Sequence, residues 1–393
     1  MNQISPLGQG RMDPQKNSLL NPDFFLLLTS NLFMWTGVGC FFLLPLFLEQ
    51  LGANKFDIGI LMGTMMLMAV FVRPQASKLV DTVGRKRIFV AGCTINGGVS
   101  LMFLFIREPI TLSFAPLFLL RLIYGIGFSF GVVASFTLAA DLAPGNRLNE
   151  GIGLFGTTGL IGIALGPFLA EWIIRRFDFN VMFVFAGLAN LISLVALWVM
   201  KPEPHEAHRS HAGAFFRTLR EPGVLRLVFI GSFFGVGFAA HGGFVTPFAG
   251  SLNLFVSYYY IAYSAAAVVA RVIGGKAGDQ LGERRTIPVA LLSAAIGFTL
   301  LIYTNTMAGL VVAGFFAGIG HGIIVPGLMA ATVRNIPVHS RGKATGVTTG
   351  ALDSGMFVGS LLLGFVGDRL GYPALFATAA LSMGMGLILS FKN

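Results

Sequence analysis

Charge is what this chain has least of. Only 11% of its 393 residues are Asp, Glu, Lys or Arg, against about 25% in an ordinary soluble domain. Half the usual polar covering is missing, and 55% of the residues are hydrophobic. A water-soluble globule of this size could not hide so much apolar surface, because burial is limited by the surface-to-volume ratio. Cysteine is scarce as well. Cys40 and Cys93 are the only two, which excludes a disulfide framework and the paired spacing of a structural zinc site. No G-x4-G-K-(S/T) element occurs, so the phosphate cradle that a P-loop ATPase needs is missing. No Ser/His/Asp or metal-ligand constellation is readable, and an enzyme is not expected. Residues 1–22 are polar and lack the charged, apolar and small-residue regions of a cleaved leader. They are read as a cytoplasmic tail.

What is present is a series of long apolar runs, at about 24–50, 57–77, 88–106, 112–140, 150–174 and 181–200, then 224–250, 254–277, 286–304, 307–332, 344–366 and 373–390. Each is continuous over the roughly 20 residues that span a bilayer and does not alternate as a barrel strand does. The sequence therefore predicts an all-α polytopic membrane protein of about twelve transmembrane helices in two pseudo-symmetric six-helix bundles. The expected bundles are 23–200 and 224–393, joined by a polar loop at 201–223. Basic residues concentrate in alternate connections, among them Lys78, Arg85, Lys86 and Arg87, the central Arg209, Arg217 and Arg220, then Arg284, Arg285, Arg334 and Arg341. The opposite connections carry only Lys55, Arg107, Arg175, Arg176 and Arg369. The positive-inside rule places both termini in the cytoplasm. It also accounts for the net charge of +10 without a nucleic-acid partner. His205, His208 and His211 in the central loop lack a structural zinc spacing, and a solvated linker is the plainer reading; no metal is expected.

The two halves share a repeat. Arg73–Arg87 reads RPQASKLVDTVGRKR and Arg271–Arg285 reads RVIGGKAGDQLGERR. Arg73/Arg271, Lys78/Lys276, Asp81/Asp279, Gly84/Gly282 and Arg87/Arg285 fall at identical spacing, each set ending the second span of its half. A weaker match aligns Tyr124-Gly125-Ile126-Gly127 with Ala317-Gly318-Ile319-Gly320. Membrane transporters commonly use such internal symmetry to expose one midplane site to either side in turn.

These residues resemble the major facilitator superfamily. Its loop after span two runs roughly G-x3-D-(R/K)-x-G-(R/K)-(R/K). Asp81, Gly84, Arg85 and Lys86 match it, and so do Asp279, Gly282 and Arg284 of the second copy; Ser77 and Thr82 depart from the pattern. The resemblance implies a conformational latch in this loop. Span four, Leu120-Arg121-Leu-Ile-Tyr124-Gly125-Ile-Gly127, is similar to the family's R-x-x-Q-G-x-G element, with Tyr124 in place of Gln. That similarity implies a role for Arg121 in proton coupling or in holding an anionic group; the alternative is an arginine that snorkels toward an interface. Gly153, Gly162, Gly166 and Pro167 follow the antiporter pattern G-x8-G-x3-G-P and imply a bent helix of an exporter, although the closing Gly-Gly of that pattern is Ala170-Glu171 here.

Polar residues inside spans are the remaining site candidates. Asp353 is the only carboxylate well inside an apolar run. Apolar surroundings favour a neutral carboxyl, which suits reversible protonation; a hydrogen-bonded structural Asp is the alternative. His241 and His321 join Asp353 and Arg121 as proton-coupling candidates. Asn31, Trp35, Asn96, Tyr124, Tyr259 and Tyr263 are candidates for a substrate cavity, with simple packing as the alternative for each. Many antiporters of the family carry an acid within span one; here Asp23 and Glu49 lie only near its ends.

The expectation is a secondary transporter of the inner (cytoplasmic) membrane that works as a monomer without cofactors. Its partners would be a small-molecule substrate, protons and the lipid bilayer. Proton-coupled efflux of apolar or amphipathic molecules, uptake of a polar or anionic metabolite, and a non-transporting sensor of the same fold all remain open at this point. Orientation is checked directly: single cysteines placed in 201–223 should react with impermeant thiol reagents only from the cytoplasmic side, and labelling from outside would overturn the topology.

Overall fold

Helices start and stop in this chain where short polar residues can take over the backbone's unsatisfied groups. In the computed structural model, α1 (Pro22–Cys40) begins with Pro22 in its first turn and with the Asn21 side chain accepting from Phe24 N–H at 2.8 Å. A 3-10 turn at Phe41–Leu43 joins it to α2 (Leu44–Gln50). Asn54 opens α3 (Lys55–Val83) in a reciprocal cap: its side chain accepts from Asp57 N–H while Asp57 accepts from Asn54 N–H. Then come α4 (Arg85–Met102), α5 (Ile110–Leu142), α6 (Leu148–Arg176) and α7 (Phe179–Val199), the last capped by Asp178. The second half contains α8 (Val224–Gly243), α9 (Val245–Ser251), α10 (Ser257–Leu281), α11 (Glu283–Tyr303), α12 (Met307–Arg334) and α13 (Ala344–Phe391). The backbone of α13 breaks at Gly371, φ 81°, which makes two spans of it. The structure describes residues 21–144, 147–200, 223–334 and 344–391, without the side chains of 149, 275–280, 344 and 345. The N-terminal tail up to residue 20, the central loop up to 222 and the Asp279 side chain lie outside the described residues.

Among the described residues, ten stretches are long and apolar enough to cross a membrane. The last of these, Gly346–Phe391, is the pair divided at Gly371, and α10 completes twelve spans. Lipid cannot hydrogen-bond a backbone, so helices that close their own hydrogen bonds are the natural solution. Large apolar side chains such as Phe105 (83% exposed) and Trp198 (85% exposed) point outward, where a bilayer rather than water would meet them.

Two bundles result. In the first, α1 packs on α6 and α7, α3 on α5, and α4 on α5 and α7; in the second, α8 packs on α13, α10 on α12, and α11 on α12 and α13. Two seams join them: α3 runs along the first half of α13, and α6 runs along α10. These seams are pseudo-symmetric, because α3 and α10 carry the two copies of the Arg–Lys–Asp–Gly–Arg repeat.

Glycine sets how closely the helices approach. A Cβ on Gly166 would lie 2.5 Å from the Thr36 carbonyl oxygen and 2.6 Å from Gly39 Cα; one on Gly162 would lie 2.6 Å from Trp35 Cβ. The α1–α6 crossing is thus backbone against backbone, with Pro167 beside it. At the tight turns that end the repeat, Gly84 and Gly282 have φ of 110° and 77°, conformations that L side chains rarely adopt.

Each turn is tied to a neighbouring helix end by an ion pair. Arg85 Nε lies 2.9 Å from Asp141 Oδ2 in the first half, and Arg334 Nη1 lies 3.0 Å from Glu283 Oε2 in the second. The positions correspond in the repeat, Arg85 with Glu283 and Asp141 with Arg334, and the signs are exchanged.

The crossing gives a stability test with an internal control. Gly166→Ala drives a methyl into backbone and should cost about 1–3 kcal/mol, read as a lower thermal-unfolding midpoint. Gly153, earlier on α6, has open space where its Cβ would go, so Gly153→Ala should be neutral or slightly stabilising.

Candidate functional site

The seam between α3 and α13 contains an ion pair with one member from each bundle. Arg73 Nε is 2.8 Å from Asp353 Oδ2, and Arg73 Nη2 donates to Asp353 Oδ1 at 3.2 Å. Both side chains are mostly buried, at 14% and 8% exposure. This is the two-pronged geometry in which a guanidinium satisfies a carboxylate best. Arg73 lies ten residues before the end of α3, roughly 15 Å from the turn by helical rise. It therefore lies well inside the helix, although the repeat alone associates it with the loop. Asp353, the only carboxylate well inside an apolar run, has a basic partner.

At the end of the bundles away from the Gly84 and Gly282 turns, Glu171 of α6 reaches across the other seam. Its oxygens accept from Val256 N–H at 3.2 Å and Ser257 N–H at 2.8 Å, the first turn of α10, and Arg175 pairs with it at 3.2 Å. A carboxylate at a helix N-terminus meets both unsatisfied N–H groups and the positive end of the helix dipole. Here the cap belongs to one bundle and the helix to the other. The departure from the glycine pattern at Ala170-Glu171 thus marks a contact that sequence reasoning missed. Nearby, Tyr372 O–H lies 3.5 Å from Glu49, and Lys55 Nζ lies 4.7 Å from the Tyr372 ring centre.

Between these two levels, a patch of rings on the second bundle faces the first. His241 Nδ1 is 3.3 Å from the Tyr259 hydroxyl, and Tyr260 O–H donates to the His241 carbonyl at 3.0 Å. The Tyr263 ring lies 4.1 Å from His241. Phe238 stacks between the two histidines, 4.7 Å from His241 and 5.0 Å from His321. From the first bundle, Phe42 stacks on Tyr260 at 5.3 Å, and Trp35 packs beside Gly159 and Gly162 of α6. His241, His321, Tyr259 and Tyr263 are therefore brought together, with Trp35 near them. His241 Nε2, His321 Nδ1 and the Tyr263 hydroxyl are buried without a hydrogen-bond partner.

Other candidates sit elsewhere. Arg121 is 2% exposed and donates to the carbonyls of Leu61 at 2.9 Å and Met62 at 3.3 Å, pinning α5 to α3. Tyr124 is buried inside the first bundle, 4.6 Å from the Phe41 ring. Asn96 is buried against Gly127, between α4 and α5. Asn31 donates to Thr158 Oγ1 at 2.7 Å and to the Phe155 carbonyl, tying α1 to α6. These polar groups hold the first bundle together, each bonding or packing against a neighbouring helix of its own bundle; Arg121 also borders the space between the bundles.

Of the turn residues, Arg85 pairs with Asp141, Lys86 Nζ donates to the Met200 carbonyl at 2.6 Å, and Arg284 is exposed. Asp81 has no hydrogen bond or ion pair to the described residues. The space between the bundles beside Arg121, lined by Met62, Met65, Met66, Phe41, Phe42 and Gly243, amounts to about 40 Å³. Binding cavities for small molecules are several hundred Å³, so this space is too small for one, whereas a void of about 340 Å³ lies at the Glu171 end of the α6–α10 seam, beside Arg175 and Tyr258.

Comparison with known proteins agrees with this architecture. The sequence profile described as Major Facilitator Superfamily matches residues 24–259 and 227–392. An uncharacterized MFS-type transporter of Methanocaldococcus jannaschii is 22% identical over 384 residues, 94% of this chain and 97% of that protein. Multidrug resistance protein 2 of Bacillus subtilis is 23% identical over 392 residues, 94% and 95% of the two chains. The crystal structure of the nucleoside transporter NupG superposes with a TM-score of 0.71 at 14% identity, covering 94% of this chain and 97% of that one. Twelve spans in two related bundles and a profile match over nearly the whole length lead to one conclusion: this chain belongs to the Major Facilitator Superfamily.

Proposed function

We propose that the chain is a proton-coupled exporter of small apolar or amphipathic molecules. It would act as a monomer in the cytoplasmic membrane, with both termini inside. The observation that carries the reading is the Arg73–Asp353 pair. It joins the two bundles inside the membrane through a group that a proton can neutralise. A proton and the Arg73 guanidinium compete for the same carboxylate, so acidification works against the bridged arrangement. Protonation of Asp353 would free the α3–α13 seam on one side. The Glu171 cap would hold the other side shut, then open in the alternate state. His241 and His321 are further groups through which a proton could pass. Asp81, Asp279 and the basic residues of the two turns would act as the latch that favours one state. Export is supported by the Gly162–Gly166–Pro167 element of α6 and by the likeness to a multidrug resistance protein of Bacillus subtilis. The methionine- and phenylalanine-lined space is suited to apolar cargo.

The test uses purified protein in liposomes loaded with a pH-sensitive dye, with a panel of candidate substrates outside. Proton movement should require both protein and substrate, and Asp353→Asn should reduce it by at least about tenfold, the effect of about 1.4 kcal/mol or more on the coupled step. Undiminished proton-coupled flux in Asp353→Asn would remove Asp353 from the mechanism. Substrate flux without proton movement would overturn proton coupling and leave a facilitator.

A further inference from the structure

The repeat makes Arg271 the counterpart of Arg73, and the two have different surroundings. The glycines that bring α6 and α13 against the first helix of each bundle are Gly162 and Gly166, and Gly355 and Gly359. They correspond in the same register as Gly125 and Gly318. Counting in that register, the counterpart of Asp353 is Leu160, an apolar residue 2% exposed. The second seam therefore has the arginine of the pair without its acid. Arg271 instead faces Gly156, with Nη1 2.6 Å from where a Cβ would be. Among the described residues it forms no hydrogen bond or ion pair, and its Nε is buried without a partner.

An unpaired guanidinium within a membrane span is expensive and normally finds an acceptor. Arg121 does so with two carbonyls; Arg271 does not. Tyr263 lies two turns earlier on the same face of α10, and both it and His321 are within electrostatic reach of Arg271. Their orphaned polar atoms and the stacked rings of Phe238 and His241 make an aromatic wall rich in donors. Among the described residues, the one acid on the membrane-embedded part of the seams, Asp353, is already paired with Arg73. Arg121 and Arg271 thus leave the middle of the protein with two positive charges that no carboxylate offsets among the described residues. A cationic cargo would be repelled there.

Building on the transport reading above, we infer that the cargo is an aromatic organic anion, with its carboxylate on the Arg271 fork and its ring against Tyr263, His321 and Phe238. A planar carboxylate matches a guanidinium in two hydrogen bonds, and Gly156 leaves the room that any larger residue would fill.

Three probes with one ring system test this: 1-naphthoate, neutral 1-naphthalenemethanol and cationic 1-naphthylmethylammonium. Binding is measured on purified protein in nanodiscs and movement by counterflow in proteoliposomes. The unmodified protein should prefer naphthoate to the cation by at least about tenfold, as expected for charge-assisted hydrogen bonds. Arg271→Gln should weaken naphthoate by about tenfold or more while leaving the alcohol within about twofold; Arg271→Lys should keep part of the affinity. Leu160→Asp, which supplies the missing acid, should give the same loss as Arg271→Gln. Equal or better binding of the cation, or naphthoate binding insensitive to both Arg271→Gln and Leu160→Asp, overturns the inference. The charge preference is read on the unmodified protein first, so a variant that fails to fold does not remove the test. Movement of the alcohol or the cation without naphthoate binding overturns the inference and leaves the transport reading standing. Failure to bind or move any of the three overturns the inference, and the transport reading then rests on the dye-loaded liposomes alone.

Discussion

A guanidinium held inside a bilayer needs an acceptor, because neither lipid nor bulk water can supply one. Much of the polar architecture of this protein follows from that requirement. Arg73 meets it with a carboxylate from the other bundle, which ties two otherwise apolar faces at a defined point. Arg121 meets it with backbone carbonyls of a neighbouring helix, which fixes α5 against α3. Glu171 shows the same rule for the opposite sign, taking the free N–H groups at the start of α10. Each solution also decides whether a contact lies within a bundle or between bundles. The contacts between bundles are largely apolar, with Phe42 on Tyr260 and Phe56 on Phe365, and the charged ties are the points in them that a change in charge can alter.

The glycine crossings supply the complementary constraint. With backbones in contact at Gly39, Gly162 and Gly166 in one bundle and at Gly235, Gly355 and Gly359 in the other, each bundle is packed to the limit along its first helix. Closely packed interiors are not continuously deformable. The α3–α13 seam is packed in the same way, with Gly59 against Ser360 and Gly364 against Lys55, and Arg73–Asp353 and the Glu171 cap are the specific polar ties across the seams.

The spans and their division into two halves were legible because twelve apolar runs stand between short polar connections, and because a repeat of Arg, Lys, Asp and Gly survives at the same spacing. Which way each helix faces was not legible. In water an apolar stripe marks the buried side of a helix; in a bilayer both sides are apolar, and periodicity loses that meaning. Asn96 and Tyr124 therefore read like cavity residues from sequence, although they face their own bundle. The histidines and tyrosines of the second bundle do come together, since His241, Tyr259 and Tyr263 lie close in the chain and α12 adds His321. The partner of Asp353 was hidden for another reason. Arg73 belongs to a different bundle, 280 positions away, and only tertiary packing relates them. A usable signal existed in the arginine that opens each copy of the repeat, well before the turn.

The exchanged signs of Arg85–Asp141 and Glu283–Arg334 also carry a history. If the halves descend from one ancestral unit that carried either pair, one copy replaced both members. Between the two replacements stood a like-charged couple that would have pushed the turn away from its helix. One member of each pair is well exposed, Asp141 at 43% and Arg334 at 61%, and solvent there weakens the repulsion, so such a transition is passable. The outcome is two turns of almost the same shape that are no longer interchangeable: a turn moved from one half into the other would face its own sign unless the end of its partner helix moved with it.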